Sequence, residues 1–139
     1  MMDTVQKHTN HILLLGILCL ISLVMLPRDF FLIELLHPLY AMNDLSGFIC
    51  HSSLFAVITF IAYIVASQYL DKRHALIYIV CALALIGFGT EIYQSFIPSR
   101  TANWLDVLAN HTGIIFSATL IELLLISRAR LALQKVHAS

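Results

Sequence analysis

Glu91, Gln94, Arg100, Asp106 and Asn110, with the more distant His51, are the residues whose types could do chemistry in this chain. Two carboxyl groups and an imidazole brought to one place can exchange protons near neutral pH once burial and neighbours tune them. In an enzyme built this way, Glu91 or Asp106 would be the general base and His51 the partner acid. Arg100 would hold a phosphate, because its planar fork suits such groups. The same residues can serve binding without chemistry. Arg100 stands just ahead of an apolar stretch that starts near residue 104. A helix N-terminus there presents unpaired amides and a partial positive charge, which favour an anion. That anion is either external, such as a lipid phosphate, or internal, as Glu91 or Asp106. Gln94 and Asn110 offer both donors and acceptors to a ligand or to a neighbouring helix.

The elements that must position these residues are helices. Of the 139 residues, 60% are hydrophobic and 12% charged, and the mean hydropathy is +0.88. A soluble domain carries about twice that charged fraction, roughly 25%. A bilayer core takes about 20 apolar residues per helix. Four segments approach that length, over residues 10–27, 46–68, 75–96 and 104–127. The expected fold is therefore all-α, an integral membrane four-helix bundle in a single domain over 1–139. Residues 28–44 are too short and too interrupted by His37-Pro38 to span. They are expected to form an interfacial or re-entrant element between spans one and two, since proline breaks a continuous helix.

Spacing then gathers the polar residues. Glu91 and Gln94 are three apart, and Asp106, Asn110 and Gly113 follow at intervals of four and three, so each set shares a helix face. A short hairpin carrying Pro98 and Arg100 makes the third and fourth helices antiparallel neighbours, and His51 lies at the same end of the second. Basic residues set the orientation. Lys7, Lys72, Arg73, Arg128, Arg130 and Lys135 fall on one side, and only Arg28 and Arg100 on the other. Both termini are expected in the cytoplasm, with the polar cluster facing outward.

Each of these residues also has a structural use. Asn103 is a suitable N-cap, and Asp106 falls where an acidic side chain closes a capping box. Glu91 and Arg100 can pair to lock the hairpin. Gln94 and Asn110 can bond between helices, and Gly113 with Ser117 forms a small-residue stripe for close packing. Trp104 and Tyr93 suit an aromatic belt at an interface. His111 points about 100° away from Asn110 and is expected outside the cluster.

Other classes are disfavoured. A net charge of zero argues against nucleic acid, which needs a concentrated basic patch. Cys19, Cys50 and Cys81 form no CxxC pair and are expected as small buried hydrophobes. No HExxH spacing supports a metal site, no serine sits in a G-x-S-x-G context, and no cofactor is expected. The first apolar run lacks a small-x-small cleavage site and ends at Pro27-Arg28, so an uncleaved first span is expected.

Glu91-x-x-Gln94, Pro98-x-Arg100 and Asp106-x-x-x-Asn110-x-x-Gly113, with His51 ahead of them, resemble the signature of the VanZ-like membrane proteins over spans two to four. In that family an Asp-Lys pair often precedes the histidine. Here Gly47-Phe48 occupies those positions, with Asp44 out of register. The family's named member is associated with resistance to a lipophilic glycopeptide antibiotic. The resemblance thus implies a bacterial cytoplasmic (inner) membrane and a role in envelope chemistry or protection, without implying a substrate. The expected function is binding of an anionic lipid or lipophilic envelope-related molecule at the outward-facing site. Here Arg100, Gln94 and Asn110 would be the ligand-binding residues. The alternatives are a membrane enzyme acting on a lipid-linked envelope precursor through Glu91, Asp106 and His51, and a structural scaffold subunit. Membrane lipids are the expected partners, and a homo-oligomer stays open.

Overall fold

The computed structural model describes residues 4–25, 44–97 and 103–137. Among these the chain is all-α, without a strand. Helix α1 spans Thr4–Met25, α2 Asp44–Ala66, α3 Lys72–Ser95 and α4 Trp104–His137. The element expected over residues 28–44 lies almost wholly outside the described residues.

The helices form where leucine, isoleucine and alanine run without proline. α1 ends two residues before Pro27, in keeping with proline's effect on the residues ahead of it. Its start at Thr4 and the end of α4 at His137 lie beyond the apolar segments read from sequence. Hydropathy marks the apolar part of a helix, whereas backbone hydrogen bonding continues into polar residues.

The turn from α2 to α3 is tight. The Ser67 and Leu70 amides donate to the Tyr63 and Ala66 carbonyls at 2.9 and 3.0 Å. Asp71 then caps α3, its carboxylate accepting from the His74 amide at 3.2 Å and lying 2.7 Å from His74 Nδ1. The amide bond first, then the ring, holds the Asp71 carboxyl below its usual range. A group with a depressed folded pKa contributes stability that is complete above its unfolded pKa, about 3.9, and is lost as pH falls through the folded value. Asp71→Asn keeps a capping side chain but does not titrate. From about pH 4 downward, wild type should therefore lose melting temperature faster than Asp71→Asn. Parallel curves would show that the cap contributes nothing that depends on its charge.

α2 is the centre of the bundle, packed most extensively on α4 and also touching α1 and α3. Ile17, Phe55, Ile58, Ala62, Leu83 and Ile114 form the buried core. Gly113 of α4 sits directly on the α2 backbone: a Cβ added there would overlap the Ser52 carbonyl and lie 2.9 Å from Ala56 N. Ser117, one turn on, is also buried and continues the small-residue stripe on the same face of α4.

Among the described residues two helices are long and apolar enough to cross a bilayer, through Gly47–Ala66 and Lys72–Ser95, each with mean hydropathy 2.1. α1 contributes the shorter apolar run His8–Cys19. In α4 the apolar stretch is interrupted by Asp106, Asn110, His111 and Glu122. The three cysteines do not sit in the core as expected. Cys19, Cys50 and Cys81 are exposed on outward faces, because the outer surface of these helices is as apolar as the inner one.

Candidate functional site

The polar cluster is assembled at one end of the bundle by three helices. On α3 the buried face runs through Leu83, Gly87, Thr90, Glu91 and Gln94. This is the helical period that the spacing of Glu91 and Gln94 implied, and it turns both inward. Glu91 is 4% exposed and Gln94 2%. On α4 the buried face runs through Ala109, Asn110, Gly113, Ile114 and Ser117, with Asn110 wholly enclosed. His51 lies one turn before buried Phe55 on α2 and is half-buried.

Asn110 joins the three helices. Its Oδ1 is 3.0 Å from His51 Nδ1, and its Nδ2 donates to the Gly87 carbonyl at 3.3 Å. Gly87 permits this approach, since a Cβ there would press to 3.2 Å of Asn110 Cβ and 3.3 Å of the Phe55 ring. Glu91 follows Gly87 by one helical turn, which places it beside this junction along α3. Thr90 Oγ1 donates to the same Gly87 carbonyl at 2.8 Å, a buried contact that periodicity alone did not single out.

Asn103 caps α4 as expected, accepting from the Leu105 amide at 3.1 Å. Asp106 lies in the first turn and is half-buried. It does not close the capping box: among the described residues no hydrogen bond from the Asn103 amide reaches it. Its position favours the helix dipole all the same. Arg100 and Pro98 lie outside the described residues, and with them the expected Glu91–Arg100 pair. His111 stands apart from the cluster, as its phase on α4 implied. Its Nδ1 is 2.7 Å from the Val107 carbonyl, and its ring lines an outer groove with Cys81, Phe88, Trp104 and Leu108.

That groove, about 740 Å³, is almost wholly apolar. A second, of about 510 Å³, continues from Cys81 along the α3–α4 seam to Arg73 and Glu122. Those two side chains pair at 3.7 Å at the far end of the bundle.

A second polar network, not anticipated from sequence, lies at that far end. Fully buried Asn10 donates to Gln68 Oε1 at 2.6 Å and to the Tyr69 hydroxyl at 3.2 Å. Gln6 Nε2 bridges Asn10 Oδ1 and Gln68 Oε1 at 3.2 and 3.1 Å. It ties α1 to the α2–α3 turn. A signal was present, because Gln6 and Asn10 share a face of α1 and Gln68 was expected at the same end of the bundle.

The geometry therefore holds an imidazole against a buried amide, with a buried carboxyl and a second buried amide on the facing side of α3, whereas the apolar groove lies on the outer face of α3 and α4 and is lined by none of these residues. Comparison with protein-family models, curated proteins and solved structures gives no match to this chain.

Proposed function

We propose that this chain is an integral membrane protein of four spans with both termini in the cytoplasm, and that its outward-facing polar end binds an anionic lipid or lipophilic envelope-related molecule. On this reading it is a VanZ-like protein. What supports it is a buried polar junction, His51–Asn110–Gly87, at the level of α4 where Trp104, Val107, Leu108 and His111 line an apolar groove on the outer face of α3 and α4. From Val107 to Glu122 the seam covers about 22 Å of helix, enough for much of an acyl chain. Of the residues expected to hold the headgroup, Gln94 and Asn110 are buried inside the bundle, so direct contact would fall to Arg100.

Membrane insertion is supported by the exterior. The core helix of a soluble protein is mostly buried, yet only 28% and 33% of the two long apolar stretches lies inside the bundle. Large apolar side chains such as Leu85, Ile115 and Phe116 point outward. Trp104 and Tyr93 are exposed near the polar end, as an interfacial belt requires. Past Glu122, α4 continues toward its C-terminal end with Arg128, Arg130 and Lys135, suited to an anionic inner leaflet.

The single tryptophan, Trp104, lines the seam and supplies a probe. Phosphatidylglycerol titrated into the detergent-purified protein should change its fluorescence saturably, whereas phosphatidylcholine should not. Arg100→Gln should weaken the response by about tenfold, the low end for a charge-assisted hydrogen bond. Glu91→Gln should retain it. Equal responses to both lipids would sink the anionic-lipid reading.

A second reading, supported by the buried Glu91 carboxyl at the same end of the bundle as His51, is a membrane enzyme acting on a lipid-linked envelope precursor. There Glu91 or Asp106 is the base, His51 the acid and Arg100 the phosphate holder. Turnover lost in Glu91→Gln with the fold intact would make that reading lead. A scaffold instead requires Glu91, Arg100 and Asp106 substitutions all to impair folding.

A further inference from the structure

An amide and an imidazole in contact leave two questions open, which way the amide faces and which ring nitrogen carries the proton. At Asn110 the third partner answers both. The Gly87 carbonyl can only accept, and it already receives the Thr90 hydroxyl at 2.8 Å. The atom of Asn110 that approaches it at 3.3 Å must therefore be the NH₂ nitrogen, since an oxygen there would face an oxygen. Oδ1 is thereby turned to His51, where at 3.0 Å it can only accept. Neutral His51 must then carry its proton on Nδ1. Its Nε2 is left as a lone-pair acceptor, with no hydrogen-bond partner among the described residues, on a ring that is only half-buried.

We infer that Asn110, anchored on Gly87, is a positioning residue that holds His51 in the Nδ1–H tautomer, so that Nε2 accepts a hydrogen bond from a hydroxyl or amide N–H of the bound molecule. The ligand half of this inference rests on the lipid-binding reading above; the tautomer half does not. It narrows the ligand class. A headgroup bearing a hydroxyl satisfies Nε2, whereas one presenting only phosphate and ester oxygens leaves acceptor facing acceptor. The arrangement also makes Gly87 part of the site without contact to ligand, because a larger residue would push Asn110 off the α3 backbone.

The test has two arms. In the first, protein labelled with ¹⁵N-histidine is studied in detergent at pH 8, above the ordinary histidine pKa of about 6.5. Long-range ¹H–¹⁵N correlation distinguishes the two tautomers, and loss of a signal in His51→Phe assigns it among the seven histidines. Wild-type His51 should appear as Nδ1–H, and an Nε2–H spectrum overturns the inference without any need for an Asn110 variant to fold. In the second arm, phosphatidylglycerol is compared with phosphatidylmethanol, which has the same charge but lacks the glycerol hydroxyls. Wild type should prefer phosphatidylglycerol on the order of fivefold, the worth of one net hydrogen bond, and His51→Phe should lose that preference while still binding. Equal affinities in wild type overturn the ligand half. If neither lipid binds, the binding reading itself fails and the ligand half with it, while the imidazole spectrum still decides the tautomer.

Discussion

Gly113→Ala should destabilise the folded protein by more than about 3 kcal/mol, lowering the melting temperature by roughly 10 °C. The sign is the informative part. Glycine within a helix ordinarily costs about 1 kcal/mol against alanine, so the same exchange at an open position should stabilise. Gly89 supplies that comparison, since a Cβ there meets nothing within 4 Å. At Gly113 the added methyl would collide with the Ser52 carbonyl and crowd Ala56 N at 2.9 Å. Both are main-chain atoms, so no rotamer change relieves the clash, and α2 and α4 must separate. Because Asn110 lies one turn before Gly113, that separation would also stretch its 3.0 Å contact with His51. Thermal unfolding of detergent-purified Gly113→Ala and Gly89→Ala makes the test. Shifts of the same sign and similar size would mean that the two helices are not packed backbone to backbone.

Asn110→Ala should cost about 2 kcal/mol. Interhelical hydrogen bonds in membrane proteins average about 0.6 kcal/mol and reach about 1.7, and two are lost here together with the volume of a fully enclosed side chain. The two losses are unequal. The Gly87 carbonyl keeps the Thr90 hydroxyl, whereas His51 Nδ1 loses its partner. Asn110→Leu separates packing from bonding, because it refills most of the space and restores neither hydrogen bond. It should recover less than half of the loss if bonding dominates. Coupling can be measured by combining each variant with His51→Phe. Additive losses in that double variant would show that the His51–Asn110 contact contributes nothing beyond its separate parts.

Much of this was legible in the residues. Long proline-free apolar runs dictated an all-α chain, and intervals of three and four turned Glu91 with Gln94, and Asn110 with Gly113, to common helix faces that are indeed buried. Asn103 announced the start of α4, and the phase of His111 excluded it from the cluster. Local spacing suffices for these features because they depend only on the pitch of one helix. Partners across helices were not legible. The nearest partner of His51 is Asn110, 59 residues away, and Asn110 rests on the carbonyl of Gly87, an atom no side-chain pattern reports. The Asn10–Gln68–Tyr69 network and the outward cysteines were likewise decided by how each helix is rotated about its own axis. On helices apolar nearly all round, hydropathy assigns no inner face. What sets the rotation is close fit, glycine against backbone at Gly113 and Gly87, and that exists only once the helices have met.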